Sequence, residues 1–164
     1  MRADGGVVPL AFEIDAPFTF GQQIEARARH PEIADRTLLV QDDRSWTYRE
    51  YRDECVRLAH FLIGRMEARG SSEPGHVAIL LENHFELLSL LGGCGYAGLT
   101  LFGLNSGLRG PTLSGVLNQA RIQLLVVDEK FLPNVEAVRD QLETLSDQDI
   151  LVLPTGGSRG VPLG

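Results

Sequence analysis

The sequence has 164 residues, enough for one domain that buries its own hydrophobic core. Hydrophobic residues make up 43% of it and charged residues 23%, values that are typical of a globular protein and exclude wholesale disorder. The formal net charge of −7 argues against nucleic acid and against an anionic membrane as electrostatic partners.

The N-terminal residues 1–17 contain several glycines and prolines and are predicted to form an extended arm. They have neither the charged nor the apolar region of a signal peptide. No apolar run in the sequence approaches the roughly 18 residues that a transmembrane helix needs. We therefore expect a cytoplasmic protein without a transmembrane segment.

Two helices and a β-hairpin are predicted in the first half of the chain. Their expected bounds are residues 20–29, 37–41, 45–47 and 48–68. Thr19 can cap the first helix through its hydroxyl, and Thr47 with Glu50 three residues later fits the capping box of the second. Cys55 and Cys94 fall on apolar helical patterns, so we expect both to be reduced, buried thiols.

Strand-length apolar runs alternate with helix-length segments in the second half. The runs are residues 77–81, 99–104, 123–127 and 150–153, and the segments between them are residues 83–97, 110–120 and 133–145. This alternation predicts an α/β fold with a doubly wound, mostly parallel sheet of about four strands, preceded by the short β-hairpin and helices. The helix over residues 83–97 is apolar nearly all round, so we expect it to be buried.

Polar side chains stand at the carboxyl ends of three predicted strands, namely Asn83, His84, Asn105 and Asp128. Open α/β sheets form their ligand crevices at this edge. Each residue also has an ordinary structural explanation, since Asn83 can cap a helix, Asn105 can form a turn and Asp128 can be a solvated charge. His84 is the strongest functional candidate of the four, because an imidazole titrates near neutral pH.

The other polar residues do not form a recognisable reaction centre. No pair of histidines has metal-ligand spacing, and no serine or cysteine lies in a nucleophile-elbow pattern. The carboxylates at residues 42–43 and 147–149 fall on predicted turns, whereas acid–base catalysis needs carboxylates in a dry cleft. We therefore predict no catalytic, cofactor-binding or metal-binding residue in this chain.

The glycine-rich residues 155–163 have the composition of a phosphate-binding loop, in which backbone N–H groups hold the anion. No helix is predicted after them to contribute its dipole. We interpret residues 154–164 as a tail or linker rather than a working loop.

The segments VAILLEN, YAGLTLFGLN, LRG with Leu113, and QLLVVD follow one another in an order that resembles the N-terminal region of adenylate-forming enzymes. The run RSWTYREY over residues 44–51 resembles the first hairpin of that family and the helix after it. Within the superfamily the sequence is most similar to fatty-acyl-CoA synthetases. Asn105 and the Leu108-Arg109-Gly110 run are closest to the very-long-chain and fatty-acid-transport-protein branch. The resemblance covers residues 18–153.

This resemblance implies that the parent protein activates a fatty acid with ATP and magnesium, releasing pyrophosphate, and then transfers the acyl group to coenzyme A. Leu163 stands where the phosphate loop of the family has its lysine, and the second signature lysine and the ribose-binding acidic motifs are absent. The resemblance therefore implies an N-terminal piece that is inactive alone and holds no cofactor itself. Its partner would be the remainder of the enzyme, with fatty acid, ATP and CoA as ligands of the whole.

Three residues are candidates for substrate binding, namely His84, Asn105 and Arg109. Arg109 matches a recurrent position of the family branch, where it could hold a carboxylate of a neighbouring segment, and a folding role is the simpler expectation. We divide the chain into an arm over residues 1–17, the α/β region over residues 18–153 and the tail over residues 154–164. Two alternatives stay open: a free-standing α/β module that binds a nucleotide or a partner surface, and a piece of a fatty acyl-AMP ligase that serves a carrier protein.

Overall fold

The computed structural model describes residues 19–154 except residues 42, 71–74 and 84. The α-helices are α1 (Phe20–Arg29), α2 (Tyr48–Ala68), α3 (Phe85–Ala97), α4 (Gly110–Gln119) and α5 (Leu132–Glu136). The strands are β1 (Thr37–Gln41), β2 (Arg44–Thr47), β3 (His76–Leu80), β4 (Thr100–Gly103), β5 (Leu124–Asp128) and β6 (Ile150–Leu153). Short 3₁₀ turns occupy Glu129–Phe131, Arg139–Gln141 and Asp147–Asp149.

Four parallel strands form the main sheet, in the order β4-β3-β5-β6. Ala78 of β3 lies opposite Phe102 of β4 on one side and Leu125 of β5 on the other. The strands β1 and β2 pair antiparallel as a separate hairpin. The predicted α/β fold with a four-stranded parallel sheet after a short hairpin is confirmed.

Helices cover both faces of this sheet, which explains why its strands are apolar without interruption. On one face, Ala78, Leu80, Leu125 and Val127 pack with α4 and α5. On the other face, Val77, Ile79, Leu124 and Val126 pack with α2 and α3. Because neighbouring residues of a strand point to opposite faces, each strand contributes to both cores.

The predicted Thr19 cap and the predicted Thr47–Glu50 capping box are both present, and Thr19 also forms a capping box, with Gln22. The Thr19 hydroxyl accepts from the N–H of Gln22, whose side chain accepts from the N–H of Thr19 in return. Thr47 and Glu50 make the same reciprocal pair at the start of α2. These two helices begin where the sequence places them because the cap is made from residues three positions apart.

Helices α2 and α3 approach each other closely through glycine. Gly92 and Gly93 of α3 are buried against α2. A Cβ atom at Gly92 would overlap Sγ of Cys55, and one at Gly93 would lie 2.9 Å from Cβ of Leu58. The two helices can therefore lie this close together only because positions 92 and 93 carry no side chain.

The prediction of a helix over residues 133–145 is wrong. The helix α5 ends at Glu136, and the chain then makes a 3₁₀ turn and an irregular segment. The side chain of Asn118, at the end of α4, donates to the C=O of Gln141 and accepts from the N–H of Glu143. These bonds from a distant residue replace the helical bonds that residues 141–143 would otherwise make.

The carboxylate of Asp149, which the sequence analysis placed on a turn, is buried. It forms an ion pair with Arg69 at the end of α2 and accepts from the N–H and hydroxyl of Ser146 at 2.9 and 2.5 Å. Arg69 also donates to the C=O of Thr144 at 2.9 Å. This cluster fixes the segment that leads into β6 against the end of α2.

Cys55 and Cys94 are unpaired, as predicted, and their exposed fractions are 0% and 1%. Burial raises the pKa of each thiol to about 12, because the thiolate would lose its hydration. We expect that neither cysteine reacts with Ellman's reagent at neutral pH while the protein is folded, and that both react at once in denaturant. Rapid labelling of one thiol in the native state would contradict the packing of α2 or α3.

Candidate functional site

The carboxyl edge of the main sheet holds the described members of the predicted polar set. The strands β3, β4 and β5 end side by side at this edge, with Asn83, Asn105 and Asp128 at or shortly after their ends. His84 lies outside the described residues, so its candidacy stays a prediction. Helix α3 begins at Phe85, so its cap position is residue 84. Asn83, which the sequence analysis expected to be the cap, lies one residue before that position.

Asn105 forms a turn, as its structural explanation predicts. Its Oδ1 accepts from the N–H of Gly107 at 2.7 Å, and its C=O accepts from the N–H of Leu108 at 3.0 Å. This side-chain turn is a common conformation of asparagine. The residue shapes the loop between β4 and α4, and its role in binding a substrate stays a prediction.

Arg109 holds the same loop from its other end. Its Nη1 donates to the C=O of Ser106 at 2.6 Å and to the C=O of Leu108 at 2.7 Å. Among the residues that the structure describes, no carboxylate pairs with Arg109, so the expected ion pair to a neighbouring segment is not found. The guanidinium instead binds carbonyl oxygens and lies 6.0 Å from the ring centre of Phe131.

Asp128 is buried, and its expected role as a solvated charge is wrong. Its exposed fraction is 1%, and its Oδ1 accepts from the N–H of Lys130 at 3.2 Å. Lys130 forms an ion pair with Glu82 and lies 5.0 Å from the ring centre of Phe131. The Phe131 ring is therefore in cation–π distance of both Lys130 and Arg109.

Gln41 is a contact residue that the sequence analysis did not identify. From the end of β1 its Oε1 accepts from the N–H of Phe85 at 3.1 Å, and its Nε2 donates to the C=O of Asn83 at 3.4 Å. The hairpin thus holds the backbone on both sides of residue 84. No local sequence pattern predicts this contact, because the two partners lie more than forty positions apart in the sequence.

Arg44 and Trp46 strengthen the same junction. The guanidinium of Arg44 lies 4.7 Å from the ring centre of Phe85 and 3.5 Å from a carboxylate oxygen of the buried Glu86. The ring of Trp46 meets Phe85 edge to face, with 4.5 Å between their centres. Aromatic and cation–π contacts of this kind favour one fixed position of the hairpin against α3.

A groove runs between the hairpin and α3. It has a volume of about 310 Å³ and is lined by Leu39, Val40, Gln41, Asn83, Phe85, Leu87 and Leu88. We call it the hairpin groove. Its existence corrects the expectation that α3 is buried all round, since Leu91 on α3 is 38% exposed and Leu87 and Leu88 are only half-buried.

The described residues offer no metal site and no membrane-spanning helix. No three His, Cys, Asp or Glu side chains within them are grouped so that they could hold a metal ion. None of the described helices is both long and apolar enough to cross a membrane. We therefore assign no magnesium ligand to this part of the chain.

A doubly wound parallel sheet, with a hairpin fixed against its carboxyl edge, defines an α/β domain of the kind found in adenylate-forming ligases. The match to a known family agrees with this class. Residues 24–159 match the AMP-binding enzyme family. The chain belongs to that family.

Two relatives from other organisms are similar to most of this chain. A probable acyl-activating enzyme 21 of Arabidopsis thaliana is 28% identical over 155 residues, which are 94% of this chain and 26% of the relative. The fatty acid–acyl-carrier-protein ligase ScoC of Streptomyces coeruleorubidus is 29% identical over 118 residues, 72% of this chain and 22% of the relative.

Among solved structures, the anthranilate CoA ligase AuaEII in complex with anthranoyl-AMP superposes with a TM-score of 0.70. The identity is 26%, over 85% of this chain and 26% of that one. The chain thus spans about a quarter of the length of the proteins it matches. The very-long-chain branch suggested by residues 105 and 108–110 stays a prediction.

Proposed function

We propose that residues 1–164 are the N-terminal α/β portion of a ligase that activates a fatty acid with ATP and passes the acyl group to coenzyme A. The observation that carries this proposal is the family match over residues 24–159, which coincides with the described sheet and its helices. The α/β region over residues 18–153 would be the structural unit, with the arm and the glycine-rich tail on either side.

ATP, with magnesium, would supply the adenylyl group that activates the carboxylate, with pyrophosphate as the leaving group. CoA would supply the thiol that accepts the acyl group, with AMP as the second leaving group. The described residues do not form a place for the metal, so we derive no step through it from this chain. What the chain contributes is the position of its loops at the carboxyl edge. Asn105 and Arg109 hold the loop after β4, and Gln41 holds the loop after β3.

Transfer to a carrier protein is the second candidate, and the similarity to the ligase ScoC favours it. A free-standing α/β module is the third. Membership of the AMP-binding family supports a ligase over that module.

We expect residues 1–164 alone to catalyse no ATP–pyrophosphate exchange with fatty acids of any length. Adenylation requires positioned cations and N–H donors around the leaving pyrophosphate, and loss of one donor typically costs about a hundredfold or more in rate. Lys130 is the only lysine of the sequence, and it is paired with Glu82. Exchange above a blank without enzyme that disappears in Arg159→Ala would contradict this prediction and make the glycine-rich tail a working phosphate loop.

The function itself is tested on the complete reading frame that contains residues 1–164. We expect the sequence downstream to include a Thr/Ser/Gly-rich loop that ends in Pro-Lys, and the expressed protein to release AMP when fatty acid, ATP and an acceptor are present. Parallel assays with CoA and with an acyl carrier protein separate the first two candidates. A frame that stops at residue 164 and gives no AMP with either acceptor would favour the free-standing module.

A further inference from the structure

A second groove runs along α1, where this helix meets β1 and the first turn of α2. It has a volume of about 380 Å³ and a mostly apolar lining that includes Phe20, Ile24, Arg27, Leu38, Tyr48 and Tyr51. We call it the α1 groove. Phe20 is 45% exposed there, so a segment that covered the groove would remove apolar surface from water.

The chain enters α1 beside this groove. Thr19, the cap residue of α1, has extended backbone angles, and its neighbour Phe20 lines the groove. The residues just before Thr19 therefore begin their path next to the α1 groove. The hairpin groove is a less direct target for them, because no residue of α1 lines it.

The arm before Thr19 contains a run with the pattern of an extended chain that has one apolar side. Leu10, Phe12 and Ile14 are separated by single residues, and the intervening positions include the acids Glu13 and Asp15. Alternate side chains of an extended chain point to opposite sides. An extended run over residues 10–16 would thus have its large apolar groups on one side and its carboxylates on the other.

Arg27 gives the α1 groove a charge that complements the acidic side of this run. It is the one charged residue among those that line the groove. Its Nη1 donates to Oε1 of Gln23 at 2.6 Å and to the C=O of Gln23 at 3.4 Å, and no carboxylate of the described residues pairs with it. The lining of the hairpin groove, in contrast, carries no charged residue. Charge complementarity therefore favours the α1 groove as the place for this run.

The lengths of the segments are compatible with this contact. Arg27 lies seven positions after Phe20, which is about 10 Å along a helix axis. Asp15 lies four positions before Thr19, and four extended residues span about 13 Å. The chain has to reverse its direction between the run and α1, and Pro17 stands at that place, where the fixed φ of proline favours a turn.

We propose that residues 10–16 occupy the α1 groove, with Phe12 and Ile14 against Leu38 and Tyr48 and with Asp15 beside Arg27. The occupant is a segment of this same chain, so the proposal does not depend on the proposed function. It makes this part of the arm a component of the α/β region that joins α1, β1 and α2.

Nuclear Overhauser contacts in the methyl-labelled chain, residues 1–164, test the proposal directly. We expect the methyl groups of Ile14 to contact Leu38 and the ring of Tyr48, and to make no contact with Leu87 of the hairpin groove. A mixture of labelled and unlabelled chains identifies the source of the segment. Contacts that arise only between chains would show that a second copy supplies it, and would overturn the proposal.

Variants in urea denaturation provide an independent test. Ile14→Ser should raise the equilibrium constant of unfolding about tenfold, because a buried aliphatic side chain is lost. The matched control Ala11→Ser alters the opposite side of the run and should change nothing. The effects of Ile14→Ser and Leu38→Ala should fall short of their product by about threefold or more, whereas Ile14→Ser and Leu87→Ala should simply multiply.

The charge contact has its own readout. Asp15→Asn should shift the Nε–H resonance of Arg27, and Asp43→Asn, which changes an acid in the turn of the hairpin, should leave it in place. Arg27→Lys should keep the Ile14 contacts, since the positive charge is retained.

Three results would overturn the proposal: Ile14 contacts with another surface, no Ile14 contacts at all, or independent effects of Ile14→Ser and Leu38→Ala. None of them bears on the proposed function. Release of AMP by the complete reading frame is measured separately and does not require the arm to lie in the α1 groove.

Discussion

Gly92→Val is expected to lower the free energy of unfolding by about 3 kcal/mol, at the upper end of what overpacking a core costs. The Cβ atom would overlap Sγ of Cys55 and lie 3.0 Å from the hydroxyl of Tyr51. Both residues belong to α2, so the new side chain must push α2 and α3 apart. Urea denaturation followed by circular dichroism measures the change.

Gly115→Val is the matched control for this experiment. Gly115 lies in α4, and a Cβ atom there would meet nothing within 4 Å. Because valine is a slightly better helix former than glycine, we expect a change of less than about 0.5 kcal/mol. Cys55→Ala should recover part of the loss in the Gly92→Val background, since it removes the overlapping atom. Equal midpoints for the wild type and Gly92→Val would show that the helices are not in contact at Gly92.

Asp149→Asn is expected to lower stability by about 2–3 kcal/mol at neutral pH, because it removes a charged partner from the Arg69 cluster. Burial by itself raises the pKa of Asp149, but hydrogen bonds from Arg69 and Ser146 outweigh it and hold the pKa below its ordinary value of 3.8. A carboxyl group whose pKa is depressed by folding stabilises the folded state above its ordinary pKa. That contribution is lost as the pH falls through the folded-state value.

The pH dependence separates this charge effect from a simple packing defect. The stability difference between wild type and Asp149→Asn should be complete at pH 7 and shrink below about pH 4. Asp147→Asn is the control, since Asp147 forms an ion pair with Arg139 but its side chain is 90% exposed. Exposed pairs contribute about 0–1 kcal/mol, so little change is expected there. A difference for Asp149→Asn that persists unchanged at acid pH would contradict the charge assignment.

Local patterns were sufficient for most of the fold. The four apolar runs became the four strands of the sheet to within a residue or two, because burial on both faces leaves a continuous apolar signature. The two capping boxes fixed the starts of α1 and α2. Each of these signals lies within a few residues of the structure that it specifies.

The predictions that failed concern residues whose contacts are made with residues far away in the sequence. Residues 137–145 do not continue the helix, because the side chain of Asn118 binds their backbone. No local pattern in residues 137–145 indicates this contact. The Gln41 contact with α3 was invisible for the same reason. Asp128 was expected in solvent, since its burial follows from the surrounding elements rather than from its neighbours in sequence.

The sheet order has a consequence for how this chain acquires its structure during synthesis. Of the four strands of the main sheet, β3 is synthesised first, yet its two neighbours, β4 and β5, both follow it in the sequence. No residue can pair with His76 until Thr100 has emerged, and Gln123 donates to its carbonyl only later. All contacts of this sheet therefore close long loops, which makes folding slow relative to a helical bundle. Until β4 emerges, the apolar face of α2 is the partner already available to shield β3 from other chains.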